Sequence, residues 1–370
     1  MNNIKDAIYV PILSVRPAEV RALSHLADKD KARLLPAIQL SPWSTSKKFE
    51  STLSKIQEVF GNNRQYIANI DYDYPPKENK RPAVQFFNEL KNPQNGYENW
   101  CNLIQNNKNL IPCIQTEHIE QFDSQLDRLK KLERGLVLHL DARSGTNDLQ
   151  SIVEMKIGNI QKCHPSNDVL FIFDFGDLSK TRADFNTLII QQNRAMQIII
   201  DQFPECRVAF SGTSFPHQFG FGSTLCDIKE RVLYDLGRAT FEKADIVYSD
   251  RGGTKLRQER EGGNRTYPRI DYPVSTKWHF YKANKYGSEE YKPMAQEVAK
   301  HHDLDSHLKI WGVQMIKNTA DGISTAHGTY NIINTHPGSI AVRINIHLWQ
   351  QLHQQLSSPD TDDDDDDWQD

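Results

Sequence analysis

Charged residues and glycines follow the last of several apolar runs, in the segment ADIVYSDRGGT from Ala244 to Thr254. Asp250 and Arg251 end a run rich in β-branched residues, and Gly252 and Gly253 come next. A guanidinium can hold a phosphate or carboxylate through paired hydrogen bonds, and glycine lets backbone N–H groups approach an anion closely. The pattern therefore predicts an anion site at this strand end.

Polar residues also stand at the ends of the seven earlier apolar runs. The further candidates, in chain order, are Arg16, Gln39, Asp71, Gln115, His139, Asp141, Arg143, Asp174 and Ser211. We interpret His139, Asp141 and Asp174 as candidate catalytic residues, because imidazole and carboxylate groups can act as general bases. The others, with residues 250–253, are candidate ligand-binding residues. His139 and Asp141 are expected to point the same way, since alternate strand residues share a face.

Four of the candidate carboxylates belong to Asp71, Asp141, Asp174 and Asp250. If they converge, they can hold a divalent cation, because carboxylate oxygens are the ligands that Mg²⁺ and Ca²⁺ prefer. The alternative is a structural ring of ion pairs with the arginines above the core of the fold. The sequence leaves both interpretations open.

The apolar runs themselves predict the fold. Eight runs of strand length lie near residues 9, 36, 67, 112, 137, 171, 208 and 246, and segments with helical periodicity separate most of them. Almost continuously apolar strands are typical of parallel sheets covered on both faces. We therefore predict an α/β fold, a (β/α)8 TIM-type barrel whose working face lies at the carboxyl ends of the strands. A doubly wound open sheet is the alternative, but no GxGxxG follows the first run.

The chain after the eighth run is expected to decorate the barrel. We predict a barrel over residues 1–251, an insertion or lid over its mouth at 252–291, and helices with a strand-like extension packed on the barrel at 292–356. Two strand-like runs are predicted in TYNIINTHPGSIAVRINIHLW. Ser223 and Thr224 are expected to cap the helix after strand seven. Residues 357–370 are expected to be a disordered acidic tail, because six consecutive aspartates repel each other.

Composition excludes several classes of protein. The net charge of −4 and the lack of a basic patch argue against general nucleic-acid binding. No run is long and apolar enough for a membrane span, and the N-terminus lacks the features of a signal peptide, so we expect a cytoplasmic protein. The five cysteines have no zinc-site spacing, and no lysine ends a strand, which argues against Schiff-base chemistry.

Several segments together resemble a known family. DYDY, HLDAR and FDFGD at strand ends, with KIWGVQMI and the later IAVRINIHLWQQL, give a layout similar to the phage and bacterial beta family proteins. The resemblance covers nearly the whole chain from YVPILSVRPAE to INIHLWQQL and excludes the acidic tail. It implies a setting of phage conflict, such as antiviral defence, and it supplies no catalytic residues that can be carried over.

Two functions from different classes remain open. In the first, the barrel mouth binds a phosphorylated or nucleotide-like small molecule through residues 251–253. Asp141 or Asp174 would then act as metal ligand or base, with hydrolysis as one outcome. In the second, the mouth and the insertion form a non-enzymatic module that recognises a phage or host protein. The sequence does not decide whether the chain is an enzyme or whether it uses a divalent cation.

Overall fold

Eight parallel strands form a closed barrel in the computed structural model, as predicted. The structure describes residues 3–44, 46–74, 81–143, 153–154, 156, 158–160, 162, 168–179, 182–202, 206–242, 244–256, 266–323 and 331–356. The barrel strands are β1 (Tyr9–Ser14), β2 (Ala37–Leu40), β3 (Tyr66–Ile70), β4 (Leu110–Ile114), β5 (Leu136–Asp141), β6 (Val169–Asp177), β7 (Arg207–Thr213) and β9 (Asp245–Asp250). Strand β9 closes the barrel by pairing with β1, with Tyr9 opposite Tyr248 and Pro11 opposite Asp250.

The two faces of each strand bury different sets of apolar residues. The interior holds one compact cluster with a member from every barrel strand, including Ile12, Ala37, Val137 and Val247. Residues of the opposite parity belong to a much larger cluster outside the barrel, where the helices pack. Burial on both faces explains why the strands read as continuous apolar runs in the sequence.

Helices surround the barrel and fill the connections between its strands. They are α1 (Pro17–Ser24), α2 (Asp28–Lys31), α3 (Glu50–Phe60), α4 (Pro82–Leu90), α5 (Gln94–Asn106), α6 (Phe122–Leu129), α7 (Arg182–Gln202), α8 (Lys229–Thr240), α9 (Tyr291–His301), α10 (Trp311–Asp321) and α11 (His336–Leu356). No described helix is long and apolar enough to cross a membrane.

The last helix, α11, takes the position of the eighth barrel helix. It lies between α8 and α1: Tyr234 donates a hydrogen bond to Gln355 (2.8 Å), and Asn345 donates one to the carbonyl of Ala22 (3.0 Å). The strand-like run predicted here is wrong, because residues 336–356 form a single helix. Packing on several sides buries most of α11 from Gly338 to Leu348, so its β-branched residues show no amphipathic period.

A small antiparallel sheet precedes that helix in the chain. Strands β8 (Gly222–Asp227), β10 (Arg269–Val274) and β11 (Lys277–Lys282) pair in the order β10-β11-β8. Ser223 and Thr224 lie within β8, so their predicted role as helix caps is wrong. The buried Trp278 of β11 stacks on His347 of α11, with ring centroids 4.8 Å apart, which ties this sheet to the barrel.

The division into segments 1–251, 252–291 and 292–356 stays a prediction, as does the covering of the mouth by residues 252–291. The acidic tail, residues 357–370, and most of the helix predicted between β5 and β6 lie outside the described residues.

Candidate functional site

A polar layer lies directly above the apolar interior of the barrel, toward the carboxyl ends of the strands. Side chains two residues apart on a strand point to the same face. The residue two positions after the interior-cluster residue of each strand must therefore also point inward. They are Ser14, Gln39, Asn69, Gln115, His139, Asp174, Ser211 and Ser249. Each of the eight strands contributes one side chain, and the layer changes from apolar to polar where the barrel opens.

His139 is the centre of a hydrogen-bond network within this layer. Its Nδ1 atom lies 2.7 Å from the amide nitrogen of Asn69 and 3.3 Å from that of Gln39, and its Nε2 atom lies 3.1 Å from Asp174 Oδ2. The Asn69 amide is oriented by its oxygen, which accepts hydrogen bonds from the Ile70 N–H and from Gln115. Two amide donors therefore face Nδ1, which must accept, and the ring proton sits on Nε2 toward Asp174.

Asp174 is buried and is the carboxylate of the polar layer. Arg251 donates to both of its carboxylate oxygens, through Nε (3.2 Å) and Nη2, and the Gly176 N–H donates to Oδ1 (3.0 Å). Burial alone would raise the pKa of this carboxyl. The Arg251 charge and the His139 hydrogen bond outweigh burial and hold the pKa of Asp174 well below its usual range. Asp174 is therefore an ionised partner of Arg251.

The rim of the mouth carries a second, more exposed ion-pair group. Arg143 donates to Asp141 through Nε (2.8 Å) and Nη2 (2.5 Å), and to Asp73 through Nη1 (2.8 Å). These bonds from the two carboxylates raise the pKa of Arg143 above its already high value. Asp141 is about half exposed and its oxygens are occupied by Arg143, so it resembles a rim ion pair more than a free base.

The predicted cluster of four carboxylates is wrong within the described residues. None of their His, Cys, Asp and Glu side chains form a group of three or more that can hold a metal ion. Asp174 pairs with Arg251 and Asp141 pairs with Arg143, while Asp71 and Asp250 are buried outside the lining of the mouth. The alternative of ion pairing between acids and arginines describes these contacts better.

Asp250 and Arg251 point to opposite faces of the barrel because they are neighbours on one strand. Asp250 shares the outward face of Tyr248 and accepts hydrogen bonds from Tyr9 (2.6 Å), Tyr248 (3.0 Å) and His347 (2.6 Å). The Gly252 N–H also donates to Asp250 (2.7 Å), so this N–H is already used. Only Arg251 of this strand end lines the mouth.

The two glycines after β9 serve the turn and close packing. Both have positive φ, +56° at Gly252 and +68° at Gly253, where side chains are strained. A Cβ atom on Gly252 would lie 2.3 Å from Leu13, and one on Gly253 would lie 2.6 Å from the Trp278 ring. These contacts account for both glycines without a bound anion, and their predicted phosphate-binding role stays a prediction.

Three further predicted residues do not line the mouth. Arg16 precedes helix α1, and Asp71 is buried just beyond β3. Ser211 belongs to the polar layer, but it is fully buried and its hydroxyl has no hydrogen-bond partner among the described residues. The predicted residues that do come together at the mouth are Gln39, Gln115, His139, Asp141, Arg143, Asp174 and Arg251.

Asn69 is a site residue that the sequence reasoning missed. It lies inside β3, before the conspicuous Asp71 and Asp73, and it contacts both His139 and Gln115. Counting two residues from the inward-facing Ile67 would have found it. The mouth that these residues line has a cavity volume of about 60 Å³, room for only a few water molecules.

A buried carboxyl also fixes the loop after β7. Glu230 of α8 accepts hydrogen bonds from the Ser214 N–H (2.7 Å) and from the Ser214 hydroxyl. Burial, with a further contribution from the charge of Asp250, raises the pKa of Glu230 from 4.5 to about 7, although the Ser214 bonds lower it in part. This carboxyl is therefore a buried group in the first turn of α8 whose charge changes near neutral pH.

Comparisons with known proteins identify a family and a relative from a phage. The family model described as "Beta protein" matches residues 9–353. "Protein beta" of Enterobacteria phage P4 is 26% identical over 357 residues, which cover 93% of this chain and 92% of that protein.

Two solved structures show weak overall likeness. Triosephosphate isomerase from Bartonella henselae aligns with 67% of this chain and 94% of its own, at 11% identity and a TM-score of 0.31. The carboxyl transferase domain of Rhizobium etli pyruvate carboxylase aligns with 95% of this chain and 48% of its own, at 10% identity and a TM-score of 0.33. At these scores the barrel assignment rests on the strand pairing itself.

Replacing Arg251 should destabilise the protein without any ligand present. Arg251→Met leaves the buried Asp174 carboxylate without its guanidinium partner, and we expect the free energy of unfolding to fall by about 3 kcal/mol. Arg143→Met is the matched control: its pair lies partly exposed at the rim, so the expected loss is below about 1 kcal/mol. Urea unfolding of both variants measures this. Equal losses would contradict the assigned roles.

Glu230 should make stability depend on pH. Its pKa is higher in the folded chain than in the unfolded chain, so between about pH 4.5 and 7 the folded state binds more protons, and stability falls as pH rises. This difference in pKa between the folded and unfolded states corresponds to a change of about 3 kcal/mol in the free energy of unfolding across that pH range. Glu230→Gln should lose this slope and be more stable than wild type at about pH 8. The exposed Glu58→Gln is the control, and a Glu230→Gln profile parallel to wild type would refute the assignment.

Proposed function

We propose that this chain, which belongs to the Beta protein family, uses the mouth of its barrel to bind a small polar molecule through hydrogen bonds. The observation that supports this most is the inward-facing polar layer, in which Gln39, Asn69, Gln115 and His139 stand together above an apolar floor. A few convergent polar groups at the carboxyl end of a barrel are typical of a ligand site in this fold.

The polar atoms of this layer that make no hydrogen bond indicate which hydrogen-bonding groups the ligand carries. Within the described part of the chain, Gln39 Oε1, Gln115 Oε1 and Arg251 Nη1 make no hydrogen bond. Two free acceptors and one free donor suit a compact molecule that carries its own N–H or O–H groups and a carbonyl-like oxygen. The cavity of about 60 Å³ limits the part that enters to a few heavy atoms.

Charge makes a phosphorylated ligand the weaker proposal. The lining has four carboxylates, Asp73, Glu117, Asp141 and Asp174, against the two guanidiniums of Arg143 and Arg251, so its net charge is −2. Arg143 is fully engaged at the rim, and only Nη1 of Arg251 is left for an anion. A phosphate group would meet more negative than positive charge. We therefore expect a neutral or cationic ligand.

The same geometry favours binding over hydrolysis. A histidine that acts as general base needs one ring nitrogen free to accept a proton from substrate. In His139, Nε2 faces Asp174 and Nδ1 accepts from two side-chain amides. Both nitrogens are occupied, so we assign His139 a binding and orienting role, with no turnover of the ligand.

A panel of small molecules tests the proposal directly. Saturation-transfer NMR with neutral amides, polyols, small ammonium compounds and phosphate monoesters should show binding of neutral or cationic members and none of the phosphates. Gln39→Leu and Gln115→Leu should each weaken that binding about tenfold, the effect of one lost hydrogen bond. The exposed Gln197→Leu is the control and should bind like wild type.

Two outcomes would overturn this proposal. Binding that Gln39→Leu and Gln115→Leu leave unchanged would place the ligand elsewhere. A phosphate monoester that binds most tightly, and is lost in Arg251→Met, would restore the anionic ligand as the better hypothesis.

Recognition of a phage or host protein is the second candidate function. Its support is an exposed apolar group at the small sheet: Phe221 and Leu225 are 57% and 61% exposed, and the Tyr267 ring contacts the rings of Phe221 and Tyr286. Exposed aromatic patches are frequent at interaction surfaces. A role in antiviral defence would follow from such a partner and stays a prediction.

A further inference from the structure

A second and larger cavity lies away from the barrel mouth. Its volume is about 480 Å³, against about 60 Å³ for the mouth, and it falls in the range of small-molecule sites. It lies between helix α11, the turn that joins β10 to β11, and the segment after α9. Its lining is Tyr272, Val274, Ser275, His302, Asp303, His307, Trp349, Gln350, His353 and Gln354.

Two pairs of stacked rings form the apolar part of this cavity. Trp349 stacks on His353 with ring centroids 4.0 Å apart, and Tyr272 stacks on His302 at 4.2 Å. Tyr272 is buried, and His353 is held by Asp30 through its Nε2 atom (3.1 Å). Rings fixed in this way lose little side-chain entropy when another flat ring packs against them. The walls therefore favour a planar aromatic ligand.

Gln350 supplies an unused amide at the cavity wall. Its Oε1 atom is buried without a hydrogen-bond partner, and its Nε2 group makes no hydrogen bond within the described ranges. An unpaired buried amide oxygen costs free energy, and a rotation about the last, soft torsion of the side chain would turn this oxygen toward a ligand that donates to it. A glutamine amide matches the amino group and ring nitrogen of adenine through two parallel hydrogen bonds. This indicates a ring that carries a donor beside an acceptor.

Asp303 adds a carboxylate at the edge of the cavity. Its Oδ1 atom accepts from the backbone N–H groups of Asp305 (3.2 Å) and Ser306 (3.3 Å), while Oδ2 makes no hydrogen bond with described residues. A carboxylate in this position can accept hydrogen bonds from the hydroxyls of a ribose. It repels a phosphate.

The cavity has little positive charge with which to hold a phosphate. Burial, together with the neighbouring His279 and His301, lowers the pKa of His302 to about 4, so that ring is uncharged at neutral pH. No arginine or lysine is among the described residues that line the cavity, and the nearby Lys309 lies over the Trp349 ring, 5.1 Å from its centroid. Recognition must therefore come from the base and the sugar.

We propose that this cavity binds an adenine nucleoside, with the base against Trp349, its amino edge on the Gln350 amide and its ribose hydroxyls on Asp303. This is a second site, separate from the mouth, and it goes beyond the function proposed for the mouth. The two sites share no lining residue within the described chain.

Isothermal titration of the full chain tests the site with three probes. Adenosine should bind one to one, inosine should bind about tenfold more weakly because an oxygen replaces the amino group, and AMP should bind no more tightly than adenosine. Gln350→Leu should weaken adenosine binding and abolish the preference over inosine. Trp349→Leu should weaken both nucleosides together. Gln197→Leu is the matched control and should keep wild-type affinities for all three.

Several results would overturn the proposal. They are the absence of adenosine binding, a preference for adenosine that persists in Gln350→Leu, and AMP that binds about tenfold more tightly than adenosine.

A second variant guards against a folding defect. Gln350 is partly exposed on the surface of α11, so Gln350→Leu is expected to fold, and thermal unfolding checks this. Gln350→Glu keeps the acceptor oxygen and removes the amide donor. This variant should retain part of the preference for adenosine over inosine. Complete loss of that preference in Gln350→Glu would contradict the assigned hydrogen bonds.

Discussion

The buried carboxylate of Asp250 holds together the three elements on which the barrel depends. It stands at the end of the last strand, accepts from Tyr9 on the first strand, and accepts from His347 on the final helix. Burial by itself would raise the pKa of Asp250, but His347 and Tyr9 lower that pKa by more, so the carboxylate stays charged. Closure of the barrel and docking of α11 thus share one polar centre.

Closure determines where the chemistry can lie. Eight inward faces leave an interior that apolar side chains fill, and only the layer at the open end can be polar. There, amides surround His139 and one buried ion pair between Asp174 and Arg251 balances its own charge. The result is a mouth that is small and rich in hydrogen-bonding groups. The proposed ligand, a compact polar molecule without a phosphate, follows from this composition of the mouth.

The barrel could be predicted from the sequence because a strand that is buried on both faces is a nearly continuous apolar run. The same reasoning failed at α11 for a related reason: a helix buried on most sides also reads as an apolar, β-branched run. Strand β8 was missed because it is mostly exposed and begins at a glycine. Parity explains why Arg251 lines the mouth and Asp250 does not. The pairing of Arg251 with Asp174 depends on strands that meet only in the folded chain.

The tautomer of His139 is the most direct test of the polar layer at the barrel mouth. Two amide donors at Nδ1 and the Asp174 carboxylate at Nε2 favour the ring tautomer with its proton on Nε2. Two-bond ¹H–¹⁵N correlation spectra of the histidine rings, with His139 assigned by comparison with His139→Gln, report which nitrogen carries the proton. The hydrogen bonds of His139 predict a proton on Nε2 and none on Nδ1. A proton on Nδ1 would contradict the amide network around His139 on which the proposed ligand chemistry depends.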